Sequence, residues 1–192
     1  MSDSSVMTEI SDIGDKLRPA AHRFVLQWGE MGGKWGVNRS VAQIHALLYL
    51  ANRPLTAEDI SEALAMARSN VSNSIRELQS WGLIRSVPLI GDRREYFEAD
   101  TDIWSIAAKI VAGRKQREID PAIAALNACV AEAKNDAGLD AGARQRLTEM
   151  LEFTETVSRW YEQMSAVPRP KMMVLIKLGS KIINLLPKRK VK

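Results

Sequence analysis

The sequence predicts a mainly α fold with a small β wing: a winged helix-turn-helix flanked by N- and C-terminal dimerisation helices. Three observations carry that expectation. Residues 56–99 read as a short helix, a turn, a second helix closed by Gly82, and two β-prone runs around the charged tip Gly91-Asp92-Arg93-Arg94. Apolar residues recur at steps of three and four through residues 10–35, 103–133 and 143–164, which places them on helical faces. At 192 residues, 46% hydrophobic and 26% charged, the composition is that of a globular domain, or of a small domain with helical extensions.

The elements follow in order. Ile10, Ile13, Leu17, Phe24, Trp28, Met31 and Trp35 share one face of a first helix, which Pro19 either opens at its first turn or kinks. Gly29, Gly32, Gly33 and Gly36 weaken its far end, so it should stop by about Gly36. Ser40 and Gln43 form a capping box for a helix over 41–52, with Ile44, Leu47, Leu48 and Ala51 inward and Pro54 as the stop. Thr56 and Asp59 repeat that start signal for a helix buried by Ile60, Ala63 and Leu64. The second helix of the motif runs from Arg68 to about Trp81, with Val71, Ile75 and Leu78 inward. Leu83–Pro88 and Glu95–Ala99 are the strands, and no other segment has a comparable strand signal.

Beyond the wing, Ile103, Ile106, Ala107, Ile110 and Val111 begin another helical face. Asp120 and Pro121 read as an N-cap and first helical residue, so a break or kink falls there before the helix resumes through Ala133. Residues 135–142 are a loop. Ala143–Met164 is a further helix, with Leu147, Met150, Leu151, Val157, Trp160, Tyr161 and Met164 as candidate buried positions. The resulting divisions are an N-terminal dimerisation region (1–36), the winged helix-turn-helix (37–101), C-terminal dimerisation helices (102–167) and a basic amphipathic tail (168–192).

Charge is unevenly placed. Residues 169–192 hold eight of the 27 Lys and Arg and none of the 23 Asp and Glu, leaving 19 basic and 23 acidic residues in 1–168. The body is therefore mildly acidic, and the overall +4 is no argument for nucleic-acid binding by itself. No apolar run approaches the ~18 residues of a membrane span, and the polar, acidic N-terminus is unlike a secretory signal. The single Cys129 excludes an internal disulfide and a Cys-based zinc site, and fits a reducing, cytoplasmic compartment. His22 and His45 lie on or beside apolar faces with no ligand-spaced partner, and no glycine-rich phosphate loop is present. No catalytic residue, metal or cofactor is expected.

The outer side of the second motif helix carries the chemistry. Arg68, Ser69, Asn70, Ser72, Asn73 and Arg76 lie there or at its N-terminal end. Arg bonds bidentately to guanine and Asn to adenine in the major groove. The small serines permit close approach and bond phosphates. At the wing, Arg93 and Arg94 suit phosphate or the minor groove, and Asp92 can hold one arginine in place. A solvated helix and a simple turn ion pair are the bland alternatives; the combination with the capped first helix and the glycine stop favours double-stranded DNA. A protein–protein adaptor built on the same winged helix is the competing class.

The stretch from Trp28 to Trp104 resembles the MarR-type winged-helix regulators, specifically the GbsR-like branch. The resemblance rests on Gly36-Val37-Asn38-Arg39-Ser40, the helix 44–50, Pro54-Leu55-Thr56-Ala57-Glu58, residues 67–85, residues 91–100 and Trp104. It implies a bacterial transcription regulator, commonly a repressor, acting as a homodimer on a pseudo-palindromic operator. By position it makes Arg68–Arg76 the recognition segment and Asp92, Arg93 and Arg94 the wing; Arg39 is a further candidate DNA contact. Where related helices often have a Ser N-cap this chain has Ala67, which typically forfeits about 1 kcal/mol; Ser69 is the alternative cap of a helix that starts later. Some GbsR-like relatives respond to choline or related compounds. Trp28, Trp35, Trp104, Trp160 and Tyr161 are therefore candidates for an aromatic cage around a quaternary ammonium effector, against core packing as the plain alternative.

The basic tail has three readings. It is an amphipathic helix packed on the dimer, a source of non-specific DNA affinity, or a membrane-surface helix. Packing is favoured over membrane contact.

Overall fold

The computed structural model describes residues 17–183. These divide between Val111 and Ala112 into two compact units. The first begins with α1 (Pro19–Lys34), which Pro19 opens from the first turn rather than kinking. Trp35 caps its end and Gly36, at φ +76°, turns the chain out. The expected stripe at Ile10 and Ile13 lies outside the described residues.

Helix α2 (Arg39–Leu50) is the centre of this unit: every residue from Val41 to Leu48 is buried. Its start corrects the expected capping box at Ser40 and Gln43. Asn38 is the cap, its side chain accepting the Ser40 N–H at 2.8 Å. Gln43 is buried against α1 instead. The helix also ends at Leu50, four residues before Pro54. The glycines of α1 do more than weaken it. A Cβ at Gly29 would stand 2.6 Å from Gln43 Cγ, and one at Gly32 would stand 2.6 Å from Ala42 Cβ. The missing side chains let α1 and α2 approach, and Val25, Gly29 and Gly32 are the buried face of α1.

Two residues, Leu55–Thr56, form β1, a strand absent from the sequence reading. Then α3 (Ala57–Leu64) opens with the expected capping box: Thr56 Oγ1 accepts the Asp59 N–H at 3.1 Å, and Asp59 Oδ2 accepts the Thr56 N–H at 2.9 Å. Ala65, in the left-handed region at φ +50°, makes the turn into α4 (Arg68–Ser80). This helix starts at Arg68 behind an Ala67 that supplies no side-chain cap, so the later start at Ser69 is not what forms. Val71, Ser74, Ile75 and Leu78 are its buried face, and Gly82 takes φ +65° just past its end.

The wing strands β2 (Ile84–Val87) and β3 (Tyr96–Ala99) pair antiparallel with Arg85 opposite Glu98, and β1 adds to the other edge of β3. The core joins Val25, Ile44, Leu47, Leu55, Ile60, Val71, Leu78, Phe97 and Ile106, drawn from helices and sheet alike. Helix α5 (Ile103–Arg114) follows the wing and spans the division between the units. Of its expected face Ile106 is buried, whereas Ile103 and Val111 are exposed.

In the second unit, a π-helical turn over Lys115–Ile119 leads without interruption into α6 (Asp120–Ala133). Asp120 is therefore not an N-cap at a break. Its N–H donates to the Lys115 carbonyl five residues back, and this wider turn accommodates Pro121, which has no N–H to give to an α-helical ladder. Lys115 Nζ reaches Asp120 at 2.6 Å and Glu162 at 3.0 Å. After a short loop, Asp140 caps α7 (Ala141–Ser165) by accepting the Ala143 N–H at 2.9 Å. Helix α8 (Arg169–Ile183) follows, its helical backbone broken at Gly179.

Three expected core positions of α7, Met150, Val157 and Trp160, are exposed, and so is Phe153, which is not among them. Phe153 is 67% exposed and Trp160 60%, and Met150 and Val157 share their exposure. Steps of three and four put these four on one seam, which the other described residues leave exposed.

Candidate nucleic-acid interface

The buried stripe of α4 fixes what its other side presents. With Val71, Ser74, Ile75 and Leu78 inward, Arg68, Ser69, Ser72, Asn73 and Arg76 are exposed. Three of these are pre-engaged. Arg68 Nη2 meets Glu58 Oε1 at 2.9 Å across the turn from α3. Arg76 donates from Nη2 to Asn73 Oδ1 at 2.6 Å and from Nε to the Ser72 carbonyl at 3.4 Å, so two candidate base readers hold each other.

Asn70 departs from the expectation of an outward-facing reader. It is half-buried, and its Nδ2 donates to Ser40 Oγ at 2.9 Å. The i+4 step to the buried Ser74 turns it toward α2 rather than outward. Arg39 is likewise paired, with Glu30 at 2.9 Å. Glu58, Ser40 and Tyr96 are the participants that sequence reasoning missed. Only the Thr56-x-x-Asp59 box hinted that Glu58 begins a helix facing the next one.

The wing tip is a closed network. Leu89 O accepts the Asp92 N–H at 3.2 Å across a turn in which Gly91 takes φ +87°. Asp92 Oδ1 accepts the Arg94 backbone N–H at 2.9 Å, and Oδ2 accepts Arg94 Nη2 at 2.5 Å and the Tyr96 hydroxyl at 2.7 Å. Arg94 also donates to Tyr96 Oη at 2.8 Å, with its guanidinium carbon 5.5 Å from the ring centroid. The Arg94 hydrogen bonds hold the Asp92 carboxyl well below the usual carboxylate range, and the same pairing raises Arg94. The expected role of Asp92 thus falls on Arg94. Arg93 is exposed beside it. Ser72, Arg76 and Gln79 on one side and Arg94 and Glu95 on the other line one open groove of about 470 Å³, with Glu58 at its margin. The reading helix and the wing root therefore face a shared space.

A second cavity, of about 120 Å³, is lined by Phe24, Trp28, His45, Ala46, Tyr49, Ile103 and Ile106. Phe24 stacks on Trp28 at 5.6 Å, and Trp28 lies 6.3 Å from the His45 ring. Of the five aromatics proposed for a cage, Trp28 alone is among these lining residues. Trp35 and Trp160 are largely exposed, Trp104 and Tyr161 half-buried, so the five do not form one pocket within either unit. Phe24 and Tyr49 come from different helices, so their sharing of the cavity has no signal in the sequence. His45 Nε2 is buried with no hydrogen-bond partner. Burial pushes the imidazole down to about 4, against a smaller upward pull from Asp100. Asp100 is itself held low by Lys109 at 2.7 Å and Ser105 at 2.5 Å.

A capped helix, a second helix with an exposed polar face and a braced wing on a three-stranded sheet define a winged helix-turn-helix. Residues 35–95 match the model of the MarR family, a match that runs from the end of α1 to the wing tip and leaves β3 and the helical ends outside it. The chain is similar to the HTH-type protein YvaV of Bacillus subtilis (strain 168), 23% identical over 88 residues, and spans half of that protein's length (46% of this chain). It is also similar to the HTH-type transcriptional repressor OpcR of the same organism, 18% identical over 154 residues, or 79% of this chain and 83% of OpcR. A solved transcriptional regulator shares the fold at a TM-score of 0.62 and 18% identity, over 77% of this chain and 96% of its own. Among the described residues, no helix is long and apolar enough to cross a membrane.

Proposed function

We propose that this protein is a sequence-specific DNA-binding transcriptional regulator, a repressor of the GbsR-like branch, that acts as a homodimer and responds to a small effector. The observation that carries the DNA reading is the outer face of α4: Arg68, Ser72, Asn73 and Arg76 exposed in register, with Arg94 fixed across the groove from them. Arg and Asn supply the base chemistry, and the serines and backbone N–H groups at the helix start supply phosphate contacts. Asn70 serves this reading as a strut, and Arg39 as a backbone contact once it leaves Glu30.

The seam of Met150, Phe153, Val157 and Trp160 on α7 supports a dimer, because an apolar stripe of that size calls for a partner surface. A twofold pair places its two recognition helices about one DNA turn, roughly 34 Å, apart. For the effector, the cavity beside Trp28 is the better seat than a five-residue cage. It touches α2, whose other end holds the recognition helix through Ser40 and Asn70. A ligand there alters operator affinity only by its preference for one arrangement over the other.

The test is selection of binding sites from random duplex DNA with the full chain, read by mobility shift and paired with light scattering. Two half-sites about one turn apart and a dimeric mass are expected. Binding that ignores sequence, or no DNA binding at all, would favour the winged-helix adaptor. Titration of choline or betaine, followed by Trp fluorescence and operator affinity, checks the effector; no change in either removes it.

A further inference from the structure

The wing carries a feature that phosphate or groove electrostatics does not use. Ile90 stands at its apex with its side chain fully exposed, and Leu89 beside it is also exposed. The turn chemistry does not require either residue. The Leu89 O to Asp92 N–H bond with Gly91 at φ +87° makes Ile90 the second residue of a turn whose special backbone position is the glycine. Polar or small residues are the usual occupants of such tips.

The apex is also stiff. Pro88 restricts the backbone on one side. On the other side Asp92 ties the turn to Arg94 and to Tyr96, which is buried in β3. An apolar point therefore sits on a braced turn, with the exposed Arg93 and Arg94 three and four residues further along the same tip. That combination matches what minor-groove proteins use when they wedge an aliphatic side chain between base pairs and kink the duplex: cations to follow the narrow groove, and a pre-ordered apolar tip to enter the stack.

We propose that Ile90, backed by Leu89, is a wedge that enters the DNA minor groove at a base step, so that the operator is read partly through its ease of kinking. This rests on the DNA reading above. It places a specificity determinant at flexible pyrimidine–purine steps outside the base pairs that α4 contacts.

The test uses the full chain on the selected operator, with DNA bending followed by end-to-end energy transfer and unstacking by 2-aminopurine placed at the flanking steps. The wild type should bend the duplex and brighten one 2-aminopurine position. Ile90→Ala should lose most of the bend and the brightening and weaken binding about tenfold, with an unchanged salt slope. Ile90→Leu should restore both. Because Ile90 is fully exposed, neither variant should alter the unfolding midpoint. Equal bending and affinity for wild type and Ile90→Ala overturns the wedge while leaving the DNA reading intact. Failure of the wild type to bind any selected duplex overturns the DNA reading, and the wedge with it.

Discussion

Asn70 and Ser40 are thirty residues apart in the chain and joined side chain to side chain at 2.9 Å. The bond fastens the first turn of α4 to the first turn of α2, the helix buried at the centre of the unit. It ties down the start of a helix that Ala67 leaves without a side-chain cap.

Asn70→Ala should therefore lower stability by about 0.5–1.5 kcal/mol, the net worth of a neutral hydrogen bond, in a denaturant titration. Ser40→Ala should cost about as much, and the double variant less than the sum. Operator affinity should fall by the same factor on every sequence, because the whole reading helix loosens. A base reader behaves differently, losing about 1–3 kcal/mol at one position. If Asn70→Ala relaxes the preference at a single base pair only, Asn70 reads DNA directly and the strut is wrong.

Gly32 and Gly33 are neighbours in α1 with opposite surroundings. A Cβ at Gly32 would lie 2.6 Å from Ala42 Cβ, whereas one at Gly33 meets nothing within 4 Å. Helix propensity alone favours Ala over Gly by about 1 kcal/mol at both. At Gly33 that gain stands, and Gly33→Ala should raise stability. At Gly32 the methyl must push α2 away, and overpacking of this kind costs about 1–3 kcal/mol. Gly32→Ala should be net destabilising. Melting curves of the two variants that move in the same direction would show that α1 and α2 can part without penalty.

This pair also shows where sequence reading stops. Thr56 and Asp59 cap α3 as their spacing implied, and Val71, Ile75 and Leu78 point inward, because both features are set within one helix by local geometry. The distinction between Gly32 and Gly33 depends on α2, which no local rule brings beside them. Asn38 won the cap of α2 from Ser40 for a similar reason, since both residues are good caps and packing selects which turn is first. The β1 pair, Leu55 and Thr56, is too short for any alternation to register and forms only because β3 is there to receive it. At the interface, residue types on the outside of α4 were legible. Their pairings with Glu58 and Ser40 were not, since those partners come from other helices.

The Glu58–Arg68 pair gives a test of the interface charge. Both side chains are mostly exposed, so the ion pair is worth little to the fold. Its effect lies in occupying Arg68 and adding a negative charge beside the groove. Glu58→Gln should leave the unfolding midpoint unchanged, strengthen DNA binding, and steepen its salt dependence by about one phosphate contact. Weaker binding in Glu58→Gln would instead mean that the carboxylate aims Arg68 at its target or accepts a hydrogen bond from a base.

His45 predicts a pH window for stability. Its folded value is about 4, below the ordinary 6.5, chiefly because burial disfavours the charged ring. Between those values the unfolded chain takes up a proton that the folded chain refuses, so stability rises with pH across the interval. The contribution is complete above pH 6.5 and is lost progressively as pH falls toward 4, an effect on the order of 3 kcal/mol for a group this buried. Asp92 and Asp100, whose folded values are depressed, act in a separate window below their ordinary 3.8. His45→Leu fills a similar volume, removes the unpartnered Nε2 and cannot titrate. Its unfolding midpoint should therefore stay level from pH 6.5 to 4 where the wild type declines. A variant that keeps the decline would place the titration on another group and leave the His45 ring free to charge inside its aromatic cavity.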